Sequence, residues 1–364
     1  MTIESVSLWR VAVPLHTPYN LSLVALAELD SIVAEIRDGD GRVGIGETTI
    51  IPGYTHETGD GGWTFCREHG ARLVGMESAA AKASLDPYRL SDPHAVSVLQ
   101  VALEMIEGNP VLNAPETTHR IPILSPVNSK DPAEIPDEIE RHLTDGYRTL
   151  KVKVGWDVHE DLDRLALIQR VNAGRATLRL DANQGYSAEE GKRFADGLDT
   201  DSLELFEQPC ASDDWDANAA VAAVSPVPVM MDESIYGVAD IDRAAAMPGC
   251  GFVKLKISKM TGVDLLVDGL HRIHANGQRP VLGNGAATDV GCWIEARVAR
   301  RTIDNAGEMC GFLKNREQLL ETPLTFDDGA IVLQPGYEAR LNHAVVDRLA
   351  VAKERFTAPR AAAE

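Results

Sequence analysis

The chain has 364 residues, 44% hydrophobic and 25% charged, the balance of an ordinary soluble globular protein long enough for one large α/β domain or two domains. A formal net charge of −20 disfavours nucleic acid and anionic membranes as partners. Five cysteines without a C-x-x-C pair argue against a disulfide framework or zinc ribbon; no apolar run reaches the roughly 18 residues of a membrane span, no signal peptide is apparent, and a cytoplasmic location is expected.

Residues 1–118 read as an α+β unit. "IESVSLWRVAVPL" and "LDSIVAEIRDGDGRVGIGET" have strand character with DGDG as a hairpin turn, and "DPHAVSVLQVALEMIEGN" has helical character. Residues 119–324 follow another rule. Short β-rich runs ending in polar residues alternate with amphipathic stretches, at 121–127, 149–155, 177–183, 203–209, 228–234, 252–258, 279–285 and, more weakly, 307–313. Eight such units predict a parallel (β/α)8 TIM barrel in an α/β chain. A doubly wound sheet would favour a Gly-rich loop after its first strand, where "SPVNSKDP" has none. The tail, 325–364, contains another strand, "GAIVLQP", predicted to pack back on the N-terminal capping domain and complete it.

Three runs end in acid: Asp181, Glu207 and Asp232, each one β/α unit from the next. They are predicted at one height on adjacent strands, at the C-terminal mouth where barrel enzymes hold their chemistry. One such acid is ordinarily a helix cap or salt-bridge partner. Three in a row repel unless a cation compensates, and an all-oxygen set suits Mg2+, with Mn2+ as the alternative, better than zinc. One unit before Asp181 stands Lys153, and one unit after Asp232 stands Lys256, so a lysine flanks the acids on each side. Lys151 shares Lys153's strand face, and a neighbouring like charge lowers an ammonium's proton affinity towards that of a working base. Asn183 and Gln184 are candidates to support the metal shell, and Glu233 and Asp264 to orient the lysines.

Taken together, "LKVKVG", "LRLDANQGY", "LFEQP", "MDES" and "KLKISKMTG" resemble the motifs of the enolase superfamily, in the muconate-lactonizing-enzyme subgroup (mandelate racemase/muconate lactonizing enzyme-like), over nearly the whole chain. The resemblance implies a capping domain over a modified barrel, and an essential Mg2+ on Asp181, Glu207 and Asp232. It further implies Lys153 and Lys256 as acid/base groups, and Lys151 as a holder of the substrate carboxylate or enolate. Alignment with the family's K-x-x-K-x-G-G pattern selects Lys256, with Lys254 as a deeper alternative and Lys259 past the strand end. The implied reaction removes the α-proton of a small-molecule carboxylate substrate to give a metal-stabilised enediolate. Two lysines suit racemisation or epimerisation of an amino-acid-like acid. The alternatives are a dehydratase, eliminating from a hydroxy acid such as a hydroxyproline, and a cycloisomerase.

The pattern departs from some relatives. The eighth-strand D-x-D that holds a dipeptide's amino group is absent, and only Glu308 stands there; on the seventh strand Asn284 and Ala287 replace a Ser and Glu common among relatives. Capping-domain loops 15–23 and 50–63 are expected to set specificity, with Tyr54 and His56 as candidate substrate contacts. The family also implies a homo-oligomer. A non-catalytic barrel protein would have lost a ligand or a lysine, and all are present.

Overall fold

The computed structural model describes residues 1–20, 25–51, 53 and 55–358. Strands β1 (Ile3–Asn20), β2 (Ala25–Asp38) and β3 (Val43–Thr49) run antiparallel in order. Helices α1 (Gly59–Leu73), α2 (Ser78–Leu85) and α3 (Pro93–Ile106) follow, and α1 and α3 pack on this sheet. Val6, Leu8, Ile32 and Ile36 from the strands meet Phe65, Leu73, Val98, Leu99 and Leu103 from the helices in a core of their own. The GIGE stretch of β3 has a steric reason. A Cβ at Gly44 or Gly46 would lie 1.9 or 2.0 Å from the carbonyl oxygens of Ala102 and Val98, so glycine is what lets α3 lie against the strand.

Then come β4 (His119–Pro122), β5 (Ser125–Val127), β6 (Thr149–Lys153), β7 (Thr177–Asp181), β8 (Leu203–Glu207), β9 (Val229–Met231), β10 (Cys250–Leu255) and β11 (Arg279–Leu282). β5 to β11 form one parallel seven-stranded sheet in chain order. Helices alternate with these strands: α4 (Ile135–Thr144), α5 (Val158–Asn172), α6 (Ala188–Asp196), α7 (Trp215–Ala222), α8 (Val238–Ala245), α9 (Ile257–Met260), α10 (Val263–Ala275) and α11 (Asp289–Thr302). Alternation along each strand sorts the side chains. Val152, Leu180, Phe206, Met231 and Val253 join the large core shared with the helices. On the other face Leu205, Met230, Phe252 and Val281 form a small apolar plug. The first three stand two residues before Glu207, Asp232 and Lys254, so the plug floors a charged layer.

Three sequence expectations are corrected. The run 121–127 is divided: β4 leaves the parallel sheet to pair with β13 (Ala330–Leu333), which also pairs with β12 (Thr325–Asp327), all antiparallel. "GAIVLQP" therefore joins β4 and not the capping sheet. What reaches the capping sheet is β14 (Ala350–Thr357), after α12 (His343–Leu349), pairing with β1 from Ser5↔Thr357 to Val11↔Ala350. Residues 307–313 are no strand. Gly307 makes a single bridge to Ile123, and 311–313 form a 3-10 turn. This short segment still bonds to both sides, the Gly307 carbonyl accepting from Leu124 N and Glu308 N donating to the Leu282 carbonyl, each at 2.9 Å.

All five cysteines are free and buried, and among the described residues no helix is long and apolar enough to cross a membrane. Glu47 of β3 is fully buried, accepting from Thr49 Oγ1 at 3.1 Å, and burial pushes its carboxyl up to about 7. The folded state then holds a proton there that the unfolded chain releases above the usual carboxylate range. Stability from this group is therefore lost as pH rises towards 7. Glu47→Gln, which cannot ionise, is expected to gain stability relative to wild type between pH 5 and pH 8, on the order of 3 kcal/mol. Urea midpoints at the two pH values check this, and an unchanged difference would refute it.

Candidate active site

The charged layer is built by strand order. Lys153, Asp181 and Glu207 are paired in register across β6, β7 and β8. Glu207 is level with Met230, so Asp232 stands two residues further along its strand than the single height expected from sequence. Tight turns follow the acids: Asn183 (φ 41°), Gln184 (φ 70°) and Gln208 (φ 35°) are all left-handed, a costly conformation for residues other than glycine and one concentrated at functional sites.

Lysines interleave with the acids. Lys151 Nζ lies 2.8 Å from Asp181 Oδ2, 2.9 Å from Glu207 Oε2 and 2.8 Å from Glu308 Oε2. Lys254 Nζ contacts Glu207 Oε1 at 3.0 Å, Asp232 Oδ2 at 3.4 Å, and Glu308. Lys153 Nζ donates to Asp181 Oδ2 and Asn183 Oδ1, both at 2.5 Å. Lys256 Nζ straddles Asp232 at 2.9 and 2.7 Å, and Lys259 Nζ donates to the Asp232 carbonyl at 2.5 Å. Among the described residues no group of three or more His, Cys, Asp or Glu side chains has the arrangement of a metal centre; the ammonium groups of Lys151 and Lys254 stand between the carboxylates.

The charges set the protonation. Burial works to raise Asp181, but Lys151, Lys153 and Lys254 outweigh it and hold the carboxyl at about 2. Asp232 is held well below the usual range against burial by Lys256, Lys254 and Lys259, and Glu308 by Lys151, Lys254 and Lys153. At Glu207, burial and the neighbouring Asp181 prevail, and the carboxyl rises to about 7. Burial brings Lys259 down to about 8. Lys151 goes the other way: despite burial, Asp181, Glu207 and Glu308 hold it firmly as ammonium. The positive charge expected to tune Lys153 is thus itself compensated by three carboxylates.

A cavity opens over this layer, lined by Lys151, Lys153, Asp232, Lys254, Lys256 and Glu308, and also by Asn183, Gln184, Glu233, Ser258, Asn284 and Gly285. From the capping side Thr49, Ile51 and His94 complete it. Asn183 ties Lys153 to Glu233 through its Nδ2 (2.9 Å), while Glu233 Oε2 is buried without a partner. Gln184 accepts from Ser212 N, and Asn284 folds back to accept from Ala286 N. His56 lies outside this lining: its Nε2 bonds the Ser91 carbonyl at 2.6 Å. Asp264 accepts from Asn109 Nδ2 at 2.8 Å and lies 3.7 Å from Lys82 Nζ. Tyr54, and residues 21–23 of the first loop, lie outside the described residues.

Two participants were missed, Gln208 and His94. Gln208 accepts from Asp232 N and donates to Ser234 Oγ, locking the two strand ends together, and the LFEQP motif was a usable signal. Lys254, the deeper alternative to Lys256, enters the same layer. His94 carried no signal, being one of several polar residues, with Ser97, Gln100 and Glu104, in a mostly apolar helix.

Residues 134–343, more than half of the chain, match the family described as Enolase C-terminal domain-like. The chain belongs to this family. Within it, this enolase-superfamily protein is similar to the L-Lys-D/L-Arg epimerase of Methylococcus capsulatus, 28% identical over 285 residues, 72% of this chain and 77% of that one. It is also similar to muconate cycloisomerase 1-2 of Acinetobacter lwoffii, 26% identical over 388 residues and 95% of each chain. The dipeptide epimerase of Cytophaga hutchinsonii, solved with Mg and D-Ala-L-Val, shares the fold with a TM-score of 0.89 at 21% identity, covering 98% of this chain and 100% of that one. Such relatives are capping-domain and barrel enzymes of the mandelate racemase/muconate lactonizing group, and this protein is an enzyme of that group.

Proposed function

We propose that the protein removes the α-proton of a small carboxylic acid and returns one from the opposite face, as a racemase or epimerase of an amino-acid-like acid. The reading rests on one observation: a lysine, three acids and a lysine succeed one another from β6 to β10, each terminal ammonium bonded to the terminal acid of the row. In it, residues 119–324 form a closed barrel, capped by 1–118 and by the returning segment 325–364. Buried free cysteines are in keeping with a reducing compartment, and assembly into a homo-oligomer belongs to the same proposal.

The donor set suits a divalent hard cation. Asp181, Glu207 and Asp232 offer only oxygen, and the unpartnered Glu233 Oε2 adds uncompensated polarity beside them. In this reading these three hold Mg2+, or Mn2+, with Asn183, Gln184 and Glu233 behind them. The ion, when bound, offsets the charge that builds on the substrate carboxylate as its α-proton leaves. Lys153 and Lys256 take and return the proton at Nζ on opposite faces. Lys151 supplies a fixed positive charge for the substrate carboxylate, because its surroundings keep it protonated. The capping side excludes water above them.

The likeness to a muconate cycloisomerase favours a second reading, in which the same half-reaction ends in ring closure or β-elimination. Proton NMR in D2O decides between them. A racemase washes deuterium into the α-position and inverts it, whereas a lyase or cycloisomerase forms a product with a changed carbon skeleton or an alkene. EDTA is expected to stop either reaction and Mg2+ to restore it; full turnover in EDTA would overturn the metal assignment. Glu207 must release a proton below about pH 7 for the ion to bind. Mg2+ affinity is therefore expected to be about tenfold weaker at pH 6 than at pH 8, and calorimetry at both pH values measures it.

A further inference from the structure

We propose that His94, held by Glu57, is the capping domain's recognition group for a carbonyl or carboxylate oxygen on the distal part of the substrate. The inference deepens the α-proton reading and rests on it.

His94 lies in the first turn of α3, its side chain only 4% exposed, and it lines the same cavity as Lys153 and Lys256. A bare imidazole there would be a poorly satisfied polar group. Glu57 resolves half of that. Its Oε2 accepts from His94 Nδ1 at 2.7 Å and from His94 N at 3.0 Å, and its Oε1 accepts from Ala95 N at 3.1 Å. Burial opposes charge on Glu57, but His94 and the two backbone N–H groups more than offset it and hold the carboxyl below its ordinary range. A carboxylate only accepts, so Nδ1 carries a hydrogen and the ring is fixed in orientation. Glu57 is the ring's only hydrogen-bond partner among the described residues, which leaves Nε2 as the polar atom available to a ligand in the cavity.

The surroundings select the ligand's chemistry. A substrate ammonium near His94 would face a cavity with four lysines in its lining. The carboxylates within reach are committed: Asp232 and Glu308 to lysines, and Glu57 to three N–H groups. Glu233 Oε2, a lining carboxylate oxygen that is buried without a partner, belongs to the side chain that accepts from Asn183 Nδ2 and stands next to Asp232. An acceptor suits this wall, and an ammonium does not. The substrate class is a carboxylic acid bearing a second carbonyl or carboxylate oxygen away from its α-carbon, such as an N-acylated amino acid. Glu57 is a positioning residue, acting only through His94.

The test uses the full chain with Mg2+ in D2O. Deuterium exchange at the α-carbon is followed by NMR for several amino acids, each as the free, N-acetyl and N-succinyl form. Wild type is expected to favour the acylated forms in kcat/KM. In His94→Phe that preference should fall by tenfold to 100-fold, chiefly through KM. His94→Gln, which keeps an N–H near the same place, should retain the larger part of it. A preference unchanged in His94→Phe, or a wild type that favours the free amino acids, would overturn the role given to His94 while leaving the α-proton reading intact. Wild type that exchanges none of the probes, in either enantiomer, would overturn the α-proton reading and this inference together.

Discussion

Lys153→Ala and Lys256→Ala are each expected to slow interconversion of the two substrate antipodes by about 10²–10⁴, the usual contribution of a positioned acid or base. The losses should differ in stereochemistry. β6 and β10 lie on opposite sides of the three acid-bearing strands, and each lysine is anchored at its own end, Lys153 on Asp181 and Asn183, Lys256 on Asp232. An α-carbon held over the row presents its hydrogen to one lysine in one antipode and to the other lysine in its mirror image. Each variant should therefore still wash deuterium into the antipode served by the surviving lysine, without inverting it. Starting separately from each antipode and reading deuterium content and optical rotation checks this. If both variants exchange both antipodes at the wild-type rate, the two-lysine mechanism is wrong. If the two lysines were merely structural, both antipodes would lose exchange equally in each variant.

The second large effect concerns Lys254, which is 2% exposed and touches Glu207, Asp232 and Glu308. Lys254→Met keeps most of the volume and removes the charge. Glu308 is then left with Lys151 for its closest cation, and Glu207 loses one of two. Breaking a buried ion network by removing one partner costs about 3–5 kcal/mol, because the remaining charges lack compensation. The variant should be destabilised by that amount in EDTA and should recover part of it in millimolar Mg2+, since a dication among the same carboxylates supplies the missing positive charge. Denaturant melts with and without the ion measure both. Equal stability of wild type and variant in EDTA would show that Lys254 is not part of the balance.

Much of this arrangement was legible from the chain. Asp181, Glu207 and Asp232 end runs of β-formers one β/α unit apart, and local spacing is what a parallel sheet converts into adjacency. Lys153 and Lys256 followed from the same step. Less legible was anything decided by non-local pairing. β4 carries the same apolar pattern whether it continues into β5 or turns away to β13, and only the partner strand chooses. The stretch 307–313 contains two glycines and makes a bridge where a strand was expected. Lys151 read as a repelling neighbour of Lys153, because sequence separation hides Glu308, which reaches it from the far end of the sheet. His94 and Glu57 lie on separate segments of the capping domain, and neither is diagnostic until the fold brings them to 2.7 Å.

The pairing of β14 with β1 carries a consequence for biogenesis. Ser5 and Thr357 are partners, so the capping sheet lacks one strand until the segment 350–357 has been made. Until then the acids and lysines of the parallel sheet lie beneath an unfinished roof, with the outer edge of β1 open to mispairing.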